Sequence, residues 1–84
     1  MSDHFIHEHI VPLSCLLQGE DGEVHSVVGE QSHVRRLAEM GVRSGVPIRV
    51  LTAGFPCIAD VAGQRLCLRG GVNLEVLVRR FPAA

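Results

Sequence analysis

The 84-residue sequence contains no lysine, tryptophan or tyrosine, and its only aromatic rings are Phe5, Phe55 and Phe81. Without lysine the phosphate-cradling loop GxxxxGK[ST] cannot be built. Without tryptophan or tyrosine there is no aromatic-lined groove for proline-rich peptides. Platforms on which the bases of a single strand would stack are equally scarce. A formal net charge of −1 removes the overall basicity of a nucleic-acid binder, so no nucleic-acid partner is expected. Long apolar runs are missing too. The stretch Ile10–Leu17 is broken by Pro12 and Ser14, far short of the ~20 residues that span a bilayer. It follows an acidic, histidine-rich start rather than a basic one, which is unlike a secretory leader and predicts a cytoplasmic protein. Cys15, Cys57 and Cys67 are odd in number and widely spaced, as free thiols of a reducing compartment are. Ser14, Ser26, Ser32 and Ser44 lack any nucleophile-elbow setting, and no catalytic constellation is present, so the chain is not expected to be an enzyme.

What the sequence does contain is enough for one small core. Val, Ile, Leu and Phe make up a third of the chain, well above the composition of disordered segments. Charge is unevenly distributed. Residues 1–34 hold six acids and no arginine, whereas residues 35–84 hold all eight arginines and only Glu39, Asp60 and Glu75 as acids.

Residues 1–9 (MSDHFIHEH) read as a flexible His-rich arm, and residues 10–84 as a single domain. The stretch Val11–Leu17 is too short for periodicity to assign as strand or helical turn. Gln18–Glu23 reads as a turn in which Gly19 and Gly22 supply positive φ, and Glu23–Val28 as a strand. Ser32 is placed to cap a helix in which Val34, Leu37 and Ala38 form an apolar stripe and Gly41 provides the left-handed exit. Arg35 and Glu39 are spaced to pair along it. Val46–Ala53 alternates as a strand that starts beside Pro47. Cys57–Ala62 and Arg65–Arg69 form a hairpin across Gly63-Gln64, which sets Ala62 opposite Arg65 and Cys67 opposite Asp60. In that register Cys57 lies beyond the strand end, facing inward, with Cys67 facing outward and no bridge between them. Leu74–Val78 is the last strand, followed by a polar end at Arg79-Arg80. About five strands, one short helix near residues 32–40 and regular glycine punctuation predict a mainly β fold, a small antiparallel barrel.

The segment Arg35–Leu51, RRLAEMGVRSGVPIRVL, resembles the signature of the FeoA family, small cytosolic proteins of bacterial ferrous iron transport. Other stretches follow in order: Pro12-Leu13-Ser14-Cys15-Leu16 with Gly19-Glu20, then Gly22-Glu23-Val24. After the signature come Phe55-Pro56-Cys57-Ile58, Gly63 through Arg69, and Leu74-Glu75-Val76. The resemblance spans about residues 10–80. It implies an SH3-like barrel, also similar to the C-terminal domain of iron-dependent repressors. The implied role is a non-enzymatic accessory that binds the cytosolic part of the FeoB-type GTPase-permease, meeting the membrane only through that partner, as a monomer or weak homo-oligomer. Cys67 stands where the family pattern has a small residue, and the N-terminal arm lies outside the pattern.

Two sets of candidate site residues follow. Arg35, Arg36, Leu37, Met40, Arg79 and Arg80 form a candidate docking set, with arginine suited to bidentate carboxylate contacts. His4, His7 and His9, near Asp3 and Glu8, offer imidazole and carboxylate ligands for a divalent transition metal such as Fe2+ or Zn2+. They are the basis of an alternative reading as a metal carrier or sensor, while the accessory role requires no cofactor. The three cysteines do not converge and suggest no metal site.

Overall fold

The computed structural model describes residues 10–54, 56–69 and 74–81. Among the described residues, six strands alternate with little else: β1 (Ile10–Pro12), β2 (Asp21–Gly29), β3 (Pro47–Thr52), β4 (Cys57–Val61), β5 (Gln64–Leu68) and β6 (Leu74–Arg80). A 3-10 turn, Leu13–Cys15, follows β1, and the one α-helix among the described residues, α1 (Gln31–Glu39), joins β2 to β3. All pairings are antiparallel, in one sheet of order β1-β6-β2-β3-β4-β5. The mainly β, barrel-like architecture with one helix is therefore the one expected, with six strands instead of about five. Val11–Leu17 resolves into both readings, a short strand and then a helical turn.

Alternation places the core. Val24, Ile48, Val50, Ala59, Val61, Val76 and Val78 are buried from four strands, because successive side chains of a strand face opposite ways. Leu13, Leu16, Leu37 and Val42 close the cluster from the connections. β2 runs between β6 and β3 only over Gly22 and Glu23. Beyond the bulge at His25, its other side is met by the loop before β3, where Gly45 N–H donates to Val24 O at 2.7 Å and Ser44 Oγ to His25 O at 2.8 Å.

The helix ends as its sequence demands. Gly41 adopts φ 101°, its N–H donates to Ala38 O at 3.0 Å, and Val42 N–H donates to Leu37 O at 2.9 Å. That is the paired bonding of a Schellman end, with Val42 and Leu37 as its apolar contact. The start differs from expectation. Glu30, not Ser32, occupies the N-cap with no side-chain cap. The Glu30 carbonyl accepts from His33 and Val34 N–H, which places Ser32 inside the first turn, its hydroxyl donating to Glu30 Oε1 at 3.3 Å. Arg35 and Glu39 form no ion pair in the structure.

Three further expectations are corrected. The β4–β5 loop is Ala62-Gly63, both at positive φ (52° and 86°), so Asp60 faces Arg65 and Ile58 faces Cys67. A primed two-residue turn takes left-handed backbone at both positions, and glycine serves the second one here. Opposed partners shift by two, which preserves the faces. Cys57 thus lies inside β4, opposite Leu68, buried, while Cys67 is exposed and all three cysteines are free. Burial pushes the Cys57 thiol up from its ordinary value, helped by nearby Cys67. Second, Gly22 is a strand residue rather than a turn residue. Third, Arg79 and Arg80 belong to β6 rather than to a polar tail.

Candidate interaction surface

The uneven charge of the two halves is resolved across the sheet. Asp21 on β2 lies opposite Arg49 on β3, Arg49 opposite Asp60 on β4, and Asp60 opposite Arg65 on β5. Carboxylate and guanidinium alternate over four neighbouring strands on the solvent face. Arg49 grips Asp21 with both ends of its fork, Nε to Oδ1 at 2.6 Å and Nη2 to Oδ2 at 2.9 Å. One strand over, Glu23 and its cross-strand partner Arg79 pair at 3.3 Å. At the end of the sheet, the Glu20 carboxylate takes Arg80 Nη2 at 2.9 Å and the Leu17 N–H at 2.7 Å. Acids of the first half are thereby matched with arginines of the second.

These contacts move the ionisation of their members. The Leu17 N–H and then Arg80 hold the Glu20 carboxyl below its ordinary value of 4.5. Hydrogen bonding from Arg49 does the same for Asp21, below 3.8, and Asp21 in turn keeps Arg49 protonated. A carboxylate whose folded pKa is depressed adds stability above its unfolded value, and loses it as pH falls through the folded value. The melting temperature is therefore expected to fall on acidification from near pH 4.5 downward. The double substitution of Glu20→Gln and Asp21→Asn should flatten that fall, and high salt should shrink it. Thermal melts across this range check it, and an unchanged pH profile in the double variant would refute it.

The candidate docking residues divide into two groups. Arg35 and Arg36 stand exposed on α1, and Met40, at its C-cap, is 37% exposed. Leu37, at 8%, faces the core and pins the helix to the sheet. Arg79 and Arg80 are held on β6 by Glu23 and Glu20, so they share no partner with the helix arginines. Among the described residues, the ion pairs leave Arg35 and Arg36 without a carboxylate.

His4, His7 and His9 lie outside the described residues. Among the described residues, no group of three or more His, Cys, Asp or Glu side chains could hold a metal ion, and no helix is long and apolar enough to cross a membrane.

One feature escaped the sequence reading. Where β2, β3 and the β4–β5 loop meet, an open groove of ≈320 Å³ is lined by Asp21, Pro47, Asp60, Ala62 and Phe81, with Ile48 beneath. Phe81, just past β6, is 50% exposed and is tied by its N–H to Asp21 O at 3.3 Å. The signal available in the sequence was the register of the β4–β5 hairpin, which decides that Asp60 lines up with Arg65, while its place opposite Arg49 is set by the β3–β4 pairing.

Residues 11–80 match the family model described as FeoA domain. Among solved structures, the chain is similar to a crystal structure of an iron uptake regulatory protein (FeoA). Identity is 32% and the TM-score 0.76, over 86% of this chain and 99% of that one. It is also similar to the solution structure of FeoA protein from Chlorobium tepidum, at 29% identity and TM-score 0.77, over 86% and 71% of the two chains. No curated protein matches the chain.

Proposed function

The chain belongs to the FeoA family, small accessory proteins of ferrous iron transport, and from that premise we propose that it is a non-enzymatic regulator docking on the cytosolic part of a FeoB-type GTPase-permease. The observation that carries the docking site is the state of α1. The helix is anchored to the core by Leu37, with Val34 and Ala38 half-buried on the same stripe, and it offers Arg35, Arg36 and half-exposed Met40 outward. Arg49, Arg79 and Arg80, by contrast, are engaged internally, on Asp21, Glu23 and Glu20. Two guanidiniums beside an apolar side chain suit an acidic surface with a small hydrophobic contact. Arg79 and Arg80 act in this reading as the latch of β6 on β2 and the preceding turn, rather than as partner contacts.

Binding of the full chain to the transporter's purified cytosolic domain tests this. The wild-type interaction should weaken with salt, since exposed charges are screened beyond about 8–10 Å at physiological ionic strength. The Arg35→Glu, Arg36→Glu double variant should weaken it by about tenfold or more. Binding that is insensitive both to salt and to this variant would remove α1 as the docking face.

A further inference from the structure

The groove at the β2–β3 end of the sheet has features that folding alone does not require. It is open at the β4–β5 loop, where Gly63 carries no side chain and has open space in its place, and where Ala62 carries only a methyl group. Its apolar wall comes from Pro47, Ala62 and Phe81, all exposed. Leaving half of an aromatic ring in water forgoes burial that would otherwise stabilise the fold. Its charges do not cancel. Arg49 is engaged by Asp21 at 2.6 Å and 2.9 Å, whereas the Asp60 carboxylate has no ion pair or hydrogen bond among the described residues. Arg65 lies across from Asp60 on β5 without forming an ion pair. The groove itself is thus lined by two carboxylates, Asp21 and Asp60, and one guanidinium, Arg49, beside an apolar wall, with Arg65 on the neighbouring strand.

We propose that this groove binds an extended peptide segment of a partner protein, in which a basic side chain neighbours an apolar one. The basic group would meet Asp60, and the apolar group would lie on Phe81 and Pro47. Charge complementarity selects this occupant over an acidic segment. The single aromatic ring separates it from the proline-rich ligands that need several. The surface is distinct from the α1 face and stands whether or not that face docks on the transporter.

The test is a titration of the isotope-labelled full chain, followed by backbone amide shifts, with acetyl-Ala-Leu-Arg-Leu-Arg-Ala-amide and with the same peptide carrying Glu for Arg. The basic peptide should give saturable shifts confined to the neighbourhood of Gly22, Ile48, Asp60, Gly63 and Phe81, at millimolar affinity or better. Asp60→Asn, at a half-buried position, and Phe81→Ala, at an exposed one, both outside the buried core, should each weaken it by about fivefold. Arg35→Glu with Arg36→Glu should leave it unchanged, which separates this site from the docking reading. The proposal is overturned by equal shifts with the acidic peptide, by shifts centred on α1, or by no saturable shift. It is also overturned by peptide-independent shifts that grow with protein concentration, which would assign the groove to a second copy of the chain.

Discussion

Replacing Gly22 by alanine is expected to cost about 3 kcal/mol or more of folding free energy, at the upper end of overpacking effects. A β-carbon at this position would sit 2.5 Å from the Arg79 carbonyl oxygen and 2.7 Å from Val78 Cγ1. Neither neighbour can yield cheaply. The carbonyl belongs to the β2–β6 ladder, which brings Gly22 opposite Arg80 and Glu23 opposite Arg79, and Val78 is fully buried. Nor is the effect confined to packing, because Gly22 is also where β2 passes between β6 and β3. Prising that crossing apart would loosen the Arg49–Asp21 and Arg79–Glu23 pairs on either side. Gly19 is the control. It has positive φ (88°) but open space around its missing side chain, so Gly19→Ala should cost only the left-handed backbone penalty of about 1–2 kcal/mol. Urea unfolding of the two variants measures both, and the midpoint of Gly22→Ala should fall further at similar slope. Equal midpoints would mean that the close approach at Gly22 does not exist in solution.

The second large effect concerns adjacent leucines. Leu16→Ala should destabilise by about 2–5 kcal/mol, the range for truncating a leucine in a packed core. Leu17→Ala should stay within about 0.5 kcal/mol. Leu16 is 2% exposed and seals the core from the connection between β1 and β2, while Leu17 is 66% exposed. The 3-10 turn sets the difference. Its closing bond, Leu16 N–H to Leu13 O at 3.0 Å, holds Leu13 and Leu16 on the inner side. Leu17 then leaves the turn with its own N–H on the Glu20 carboxylate. In a domain with only a few kcal/mol of stability to lose, Leu16→Ala should leave a substantial unfolded fraction at physiological temperature, visible in amide exchange of β1 and β6. Similar losses for both leucines would contradict this orientation of the turn.

Much of the architecture was legible because it is governed by local rules. Ile48 and Val50 face inward and Arg49 outward because side chains alternate along a strand. The i, i+3, i+4 stripe of Val34, Leu37 and Ala38 gives α1 its buried side, and Gly41 ends it because only glycine takes φ 101° without strain. The faces of the β4–β5 hairpin also survived an error in its loop, since a slip of two residues restores the same alternation. The candidate surface was less accessible. Arg35 and Arg36 could be placed on an outer helix face from spacing alone. That Arg79 and Arg80 are occupied by Glu23 and Glu20 depends on contacts 56 and 60 residues apart in the chain.

By itself, then, the sequence determined most of the secondary elements, the side of each of those that is buried, and the family. Those follow from periodicity, composition and the short-range geometry of turns. Only the tertiary structure decided that β6 lies between β1 and β2, that Gly22 is needed for want of space rather than for a turn, and that Leu16 rather than Leu17 is core. It also decided which carboxylate is matched with which arginine. Each of these depends on what the folded chain brings within a few ångströms of a residue from tens of positions away, and no local pattern encodes that distance.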